Sequence, residues 1–190
     1  MVQHLRVAIG ADHGGFDLKQ VLIEHVRKLG HTVEDCGTNS RDPVDYPRFA
    51  HAVASLVASG RADFGVVVDG AGTGSAMAAN KVPGVLAAAC YSEALARNAR
   101  EHNDANVLTL GAGQIRVDTA KAIVETFLTA SCTAERHRAR VVPPSASSKT
   151  PRLSAFASVN APFSWPNSSL SRSVSGIVAH ETSRIGRARR

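Results

Sequence analysis

The chain has 190 residues, 22 Lys and Arg against 16 Asp and Glu, and a formal net charge of +6. That length suits one domain plus an added segment and is enough to bury a core. The charge points toward nucleic acid, but residues 1–142 hold 15 basic and 15 acidic residues, so the whole excess sits in residues 143–190, where seven basic residues face Glu181 alone.

No run approaches the roughly 20 apolar residues that span a membrane. The N-terminal stretch MVQHLRVAIGADHGG lacks the apolar segment of a signal peptide. Cys36, Cys90 and Cys132 form no CxxC pair, so neither a zinc site nor a redox motif is expected. The expectation is a soluble cytoplasmic protein with reduced thiols.

Residues 5–10 (LRVAIG) read as a central strand, and Ala11 to Gly15 as a tight turn. Phe16, Leu18, Val21, Leu22, Val26 and Leu29 then recur at helical spacing, and Gly30 ends that helix. Residues 31–36 predict a second strand and 37–46 a polar loop. Pro47 opens a helix running to about Ser59. Residues 63–69 predict the third strand, and residues 75–81 a helix rich in alanine. Strands at 85–90 and 107–110 and helices at 92–101 and 117–128 complete an alternation that predicts an α/β fold with a parallel sheet covered on both faces. Beyond Val142 twelve of 48 residues are serine, with prolines at 143, 144, 151, 162 and 166. Residues 1–142 are therefore expected to form the domain, and 143–190 a disordered tail.

The stretch that carries chemistry is residues 63–83, DFGVVVDGAGTGSAMAANKVP. A strand, a glycine turn and a helix bring backbone N–H groups and the positive end of a helix dipole together, which suits an anion. Asp69 stands at the carboxyl end of the strand, where open α/β sheets keep their sites. A dinucleotide fingerprint would need glycine at Ser75 and an acidic residue near Tyr91, so no nicotinamide cofactor is expected.

Four segments carry a resemblance: GADHGGFDLK (10–19), DGAGTGSAMAANKVPG (69–84), HNDANVLTLGA (102–112) and ERHRAR (135–140). Together they resemble the ribose-5-phosphate isomerase type B family, which includes galactose-6-phosphate isomerase subunits. The resemblance implies a Rossmann-like α/β/α sandwich with a five-stranded parallel sheet. It also implies a homodimer or dimer of dimers with sites at the subunit interface, and no metal or organic cofactor. The implied activity is aldose–ketose isomerisation of a sugar phosphate, ribose 5-phosphate to ribulose 5-phosphate of the pentose phosphate pathway, through a cis-enediolate. A tetrose 4-phosphate, galactose 6-phosphate or allose 6-phosphate is the alternative substrate, and a non-catalytic sugar-phosphate-binding relic the alternative role. No nucleic acid and no membrane is an expected partner.

By the same resemblance His102 opens the sugar ring and Asn103 bonds its hydroxyls. Asp12 lies near the ring oxygen or a hydroxyl and His13 near the phosphate. Gly70, Ala71, Gly72, Thr73 and Gly74 offer N–H groups to the enediolate, and Arg136 and Arg140 hold the phosphate. Asp69 takes the place of the family's cysteine base, while Ser75 stands where other members place a glutamate. Asp69 is expected to be the proton-transferring base; the competing role is to cap the following turn and helix. Ala71 replaces a hydroxyl residue, and Gly113 replaces a phosphate-binding arginine, with Arg116 three residues on.

Overall fold

The computed structural model describes residues 4–133. The chain divides into two units, Met1–Ser148 and Lys149–Arg190, and all described residues lie in the first. The predicted tail, Arg136 and Arg140 lie outside the described residues.

Five strands and five helices alternate: β1 (Arg6–Ala11), α1 (Phe16–Lys28), β2 (Thr32–Asp35), α2 (Tyr46–Ala58), β3 (Phe64–Asp69), α3 (Thr73–Ala79), β4 (Ala87–Ala89), α4 (Glu93–Asn103), β5 (Val107–Gly111) and α5 (Val117–Thr129). A short 3-10 turn, His13–Gly15, joins β1 to α1. The strands form one parallel sheet in the order β2-β1-β3-β5-β4.

That order, with the right-handed rule for parallel crossovers, decides which face each helix covers. The chain steps one way from β1 to β2 and from β4 to β5, and the other way from β2 to β3 and from β3 to β4. Thus α1 and α4, with α5, pack on one face, and α2 and α3 on the other. The side-chain alternation agrees. Val7, Ile9, Val66, Val68, Leu108 and Leu110 join Leu22, Ile23, Ile123 and Phe127 in one core. Ala8, Val67 and Val107 join Ala50, Val53, Ala54 and Val57 in the other. Each large aliphatic side chain so buried contributes about 1.5–3 kcal/mol, so the first face carries more of the stability. The second face, built of smaller residues, lets its helix come close. A Cβ at Gly65 would lie 2.6 Å from Val53 Cγ1.

Lys19 on α1 is fully buried, and its Nζ lies 2.6 and 2.7 Å from the two oxygens of Asp35 at the end of β2. Asp35 Oδ1 also accepts from Gly37 N–H at 2.9 Å, so this pair fixes how the chain leaves β2. Removing either partner would strand a charge beside the core.

Element boundaries shifted where local geometry prevailed over pattern. The helix predicted from Ser75 starts at Thr73, because Gly72 takes the left-handed φ of 82° that lets the chain turn directly into it. Helix α2 begins one residue before Pro47, leaving proline in the first turn. The six-residue run 85–90 yields only three residues of strand, because side chains replace the ladder at its start: Leu86 N–H donates to Asn106 Oδ1 and Ala87 N–H to Asn80 Oδ1, each at 2.8 Å.

Candidate active site

Connections run in opposite senses from β1 and β3, and the crevice at their carboxyl ends is where such sheets bind ligands. Asp12 follows β1 and Asp69 ends β3. The backbones touch here: Asp12 N–H donates to Val68 O at 3.2 Å, and a Cβ on Gly14 would lie 3.7 Å from Gly70 N. A Cβ on Gly15 would overlap Val68 O, so only glycine lets the ADHGG turn lie flat against β3.

Asp12 is buried, and its Oδ1 caps the turn by accepting from Gly15 N–H at 2.9 Å. His13 is exposed, with Nδ1 3.2 Å from Val44 N and 3.3 Å from Val44 O. Val44 N–H only donates, so while that bond holds Nδ1 accepts and Nε2 carries the ring proton.

Asp69 is 4% exposed, and four donors converge on it. Oδ1 accepts from Ala71 N–H at 2.8 Å and from Gly72 N–H; Oδ2 accepts from Ser75 N–H at 3.0 Å and from the Ser75 hydroxyl. The anion cradle predicted from the glycine turn is thus built, and in this state the protein's own carboxylate occupies it. Among the described residues, the N–H groups of Gly70, Thr73 and Gly74 have no acceptor.

The loop is also held from behind. Gly70 O accepts from Gly113 N–H at 3.1 Å, Ala71 O from the Tyr91 hydroxyl at 2.8 Å, and Gly72 O from the Thr109 hydroxyl at 2.7 Å. Gly113 sits close against the loop, where a Cβ would lie 3.1 Å from Gly70 O. The Tyr46 ring covers Gly74, where a Cβ would meet Tyr46 Cζ at 2.8 Å. Sequence reading missed Tyr46, Tyr91 and Thr109. The available signal was position: Tyr91 stands two residues after the end of β4, at the edge where a parallel sheet presents its chemistry.

His102 and Asn103 lie elsewhere. They end α4, which runs back toward the edge where the strands begin. Asp104 then takes a left-handed φ of 48°, and Asn106 O accepts from Gly65 N–H at 3.0 Å beside the start of β3. Arg100 fixes this end of α4: it is buried, its guanidinium stands 4.5 Å from the Phe64 ring centre, and Nη1 bonds Ala105 O at 2.7 Å and Asp104 Oδ1 at 3.0 Å. An eleven-residue helix covers about 16 Å at 1.5 Å per residue. His102 and Asp69 of one chain therefore lie at opposite edges of the sheet.

Burial pushes the thiols of Cys36 and Cys90 up to about 11, with Glu34 and Asp35 adding to the effect at Cys36; neither suits a nucleophile at neutral pH. Among the described residues no group of three His, Cys, Asp or Glu side chains is placed to hold a metal, and no helix is long and apolar enough to cross a membrane.

The Ribose/Galactose Isomerase family profile matches residues 7–142. The chain is 42% identical over 139 residues to ribose-5-phosphate isomerase B of Mycobacterium tuberculosis strain H37Rv, covering 72% of this chain and 86% of that one. It is 40% identical over 136 residues to ribose-5-phosphate isomerase B of Escherichia coli strain K12, covering 72% and 91%. Among solved structures, Clostridium thermocellum ribose-5-phosphate isomerase B superposes with a TM-score of 0.71 at 46% identity, covering 72% of this chain and 93% of that one. Trypanosoma brucei type B ribose 5-phosphate isomerase gives 0.71 at 42% identity, covering 73% and 95%.

Proposed function

Because the chain belongs to the ribose/galactose isomerase family, we propose that it interconverts ribose 5-phosphate and ribulose 5-phosphate in the cytoplasm. The observation that carries the reading is the crevice at the ends of β1 and β3, where a buried carboxylate meets a helix N-terminus with N–H groups to spare.

Isomerisation needs ring opening, proton transfer between C2 and C1, and a site for the enediolate's charge. An imidazole both gives and takes protons at neutral pH. His102 takes the C1 hydroxyl proton and returns one to the ring oxygen as the C1–O bond breaks. Asp69 then takes the C2 proton. The electron pair forms the C1–C2 double bond, and the former carbonyl oxygen becomes the enediolate oxygen, bonded by N–H groups of the 70–74 loop. Return of the proton to C1, and transfer of the O2 proton to O1, gives the ketose. Asp12 and Asn103 bond hydroxyls, and His13, Arg136 and Arg140 hold the phosphate.

In this reading each site is shared. His102 and Asn103 come from one chain and Asp12, His13 and Asp69 from its partner, because a single chain keeps them at opposite edges. The exposed apolar side chains of Met77 on α3 and Leu95 on α4 support a contact between copies.

The four donors on Asp69 favour a second reading, in which the carboxylate only holds the loop. Asp69→Asn would not separate the two, because its amide nitrogen would face N–H donors. Asp69→Gly with added carboxylates does. Loss of a general base is expected to lower kcat by about 10²-fold or more. If Asp69 is the base, acetate, bulkier but more basic, restores more activity than formate. Equal rescue by both assigns Asp69 to holding the loop, and an unimpaired glycine variant removes it from the chemistry. Turnover of tetrose 4-phosphate, galactose 6-phosphate and allose 6-phosphate beside ribose 5-phosphate ranks the substrates.

A further inference from the structure

We propose that Tyr91 is a positioning residue for the isomerisation, aiming one peptide of the glycine loop at Asp69; this rests on the reading of Asp69 as the base. A trans peptide is rigid and planar, and its C=O and N–H point in opposite directions. Fixing the carbonyl therefore aims the N–H. The 71–72 peptide has the Tyr91 hydroxyl on its oxygen at 2.8 Å and Asp69 Oδ1 on its N–H side. The neighbouring 70–71 peptide is held by Gly113 N–H and the 72–73 peptide by the buried Thr109 hydroxyl at 2.7 Å.

Three successive carbonyls are thus tied back to the carboxyl ends of β4 and β5. Two of the opposed N–H groups, on Ala71 and Gly72, fix Asp69 Oδ1. The third, on Thr73, has no acceptor among the described residues. Of the three ties, the Gly113 tie is backbone and the Thr109 tie is buried, but Tyr91 is 37% exposed and its oxygen also lies 3.1 Å from Thr73 Oγ1. It is the tie that a side-chain change removes without opening the core. Gly72, with its left-handed φ of 82°, is the pivot. Without Tyr91 the 71–72 peptide is held only through its N–H, and one of the two donors on Asp69 Oδ1 is less firmly aimed. Tyr91 touches no reacting atom; it acts through Ala71 and Gly72.

The test compares the full-length wild type with Tyr91→Phe, which removes only the hydroxyl. Steady-state kinetics on ribose 5-phosphate and amide hydrogen exchange are measured. The expected result is a fall in kcat of about 3- to 10-fold, the span of one hydrogen bond, with KM within about twofold of wild type on the same scale. Exchange at the Gly72 amide rises while amides of β1 and β5 keep their rates. An unchanged kcat overturns the proposal, and so does a loss of kcat accompanied by faster exchange throughout the sheet. If wild type turns over no ribose 5-phosphate, the functional reading fails separately, and exchange decides: a selective rise at Gly72 upholds the positioning by Tyr91, and an unchanged rate overturns it.

Discussion

At the scale of single residues, His31 and Asp69 are both buried but meet different partners. His31 is buried at the entry to β2, and its Nδ1 accepts from Leu5 N–H at 3.4 Å. Burial, with His4 nearby as a lesser cause, lowers its pKa. The folded midpoint thus lies below the unfolded one, and the unfolded chain binds more protons between the two. The contribution of neutral His31 to stability is whole above about pH 6.5 and is lost as pH falls through that value toward the folded midpoint. Urea midpoints measured from pH 7.5 down to 5 are expected to fall, and to fall less in His31→Gln. Asp69 illustrates what sequence conveys about a residue and what it leaves open. Its place after an apolar strand and before a glycine turn was legible, and so was a candidate site at that edge. That four donors would close on it was not, because this depends on the φ of Gly72 and on α3 beginning two residues early. The same stretch supported a base and a cap, and the four donors on the carboxylate are the contacts of a cap.

At the scale of elements, β4 shows how a motif letter can serve the scaffold. Asn80 pairs with the Ala87 backbone in both directions, accepting from N–H and donating to C=O, each at 2.8 Å. Asn106 does the same for the preceding turn, accepting from Leu86 N–H at 2.8 Å and donating to Gly84 O at 2.9 Å. These amides extend the ladder of a three-residue edge strand that is too short to hold its own register. Asn80→Ala removes two hydrogen bonds and is expected to cost about 1–2 kcal/mol, read as a lower urea midpoint at constant slope, with kcat within about twofold of wild type because Asn80 lies outside the crevice. The alternation of strands and helices was legible from apolar runs and glycine stops because each element buries one face. The ends of β4 were not, since an asparagine amide that completes a ladder looks in sequence like any loop asparagine.

At the scale of the whole chain, the parallel sheet gives the described domain two unlike edges. Asp12, the glycine loop and Tyr91 stand where strands end; His102 and Asn103 stand where they begin. Sequence reading gathered these residues into one site by resemblance, and their distribution over two edges became visible only through the direction of α4. Mixed assemblies test the sharing. Asp69→Gly and His102→Ala chains, each inactive alone, are expected to regain up to about a quarter of wild-type activity when unfolded and refolded together, because a mixed pair holds one intact site. No recovery would place both groups in the same chain's site. On the shared-site proposal, a solitary copy holds the front of one site and the back of another and completes neither. Catalytic competence then belongs to the encounter between chains, and on dilution it disappears faster than the protein itself does.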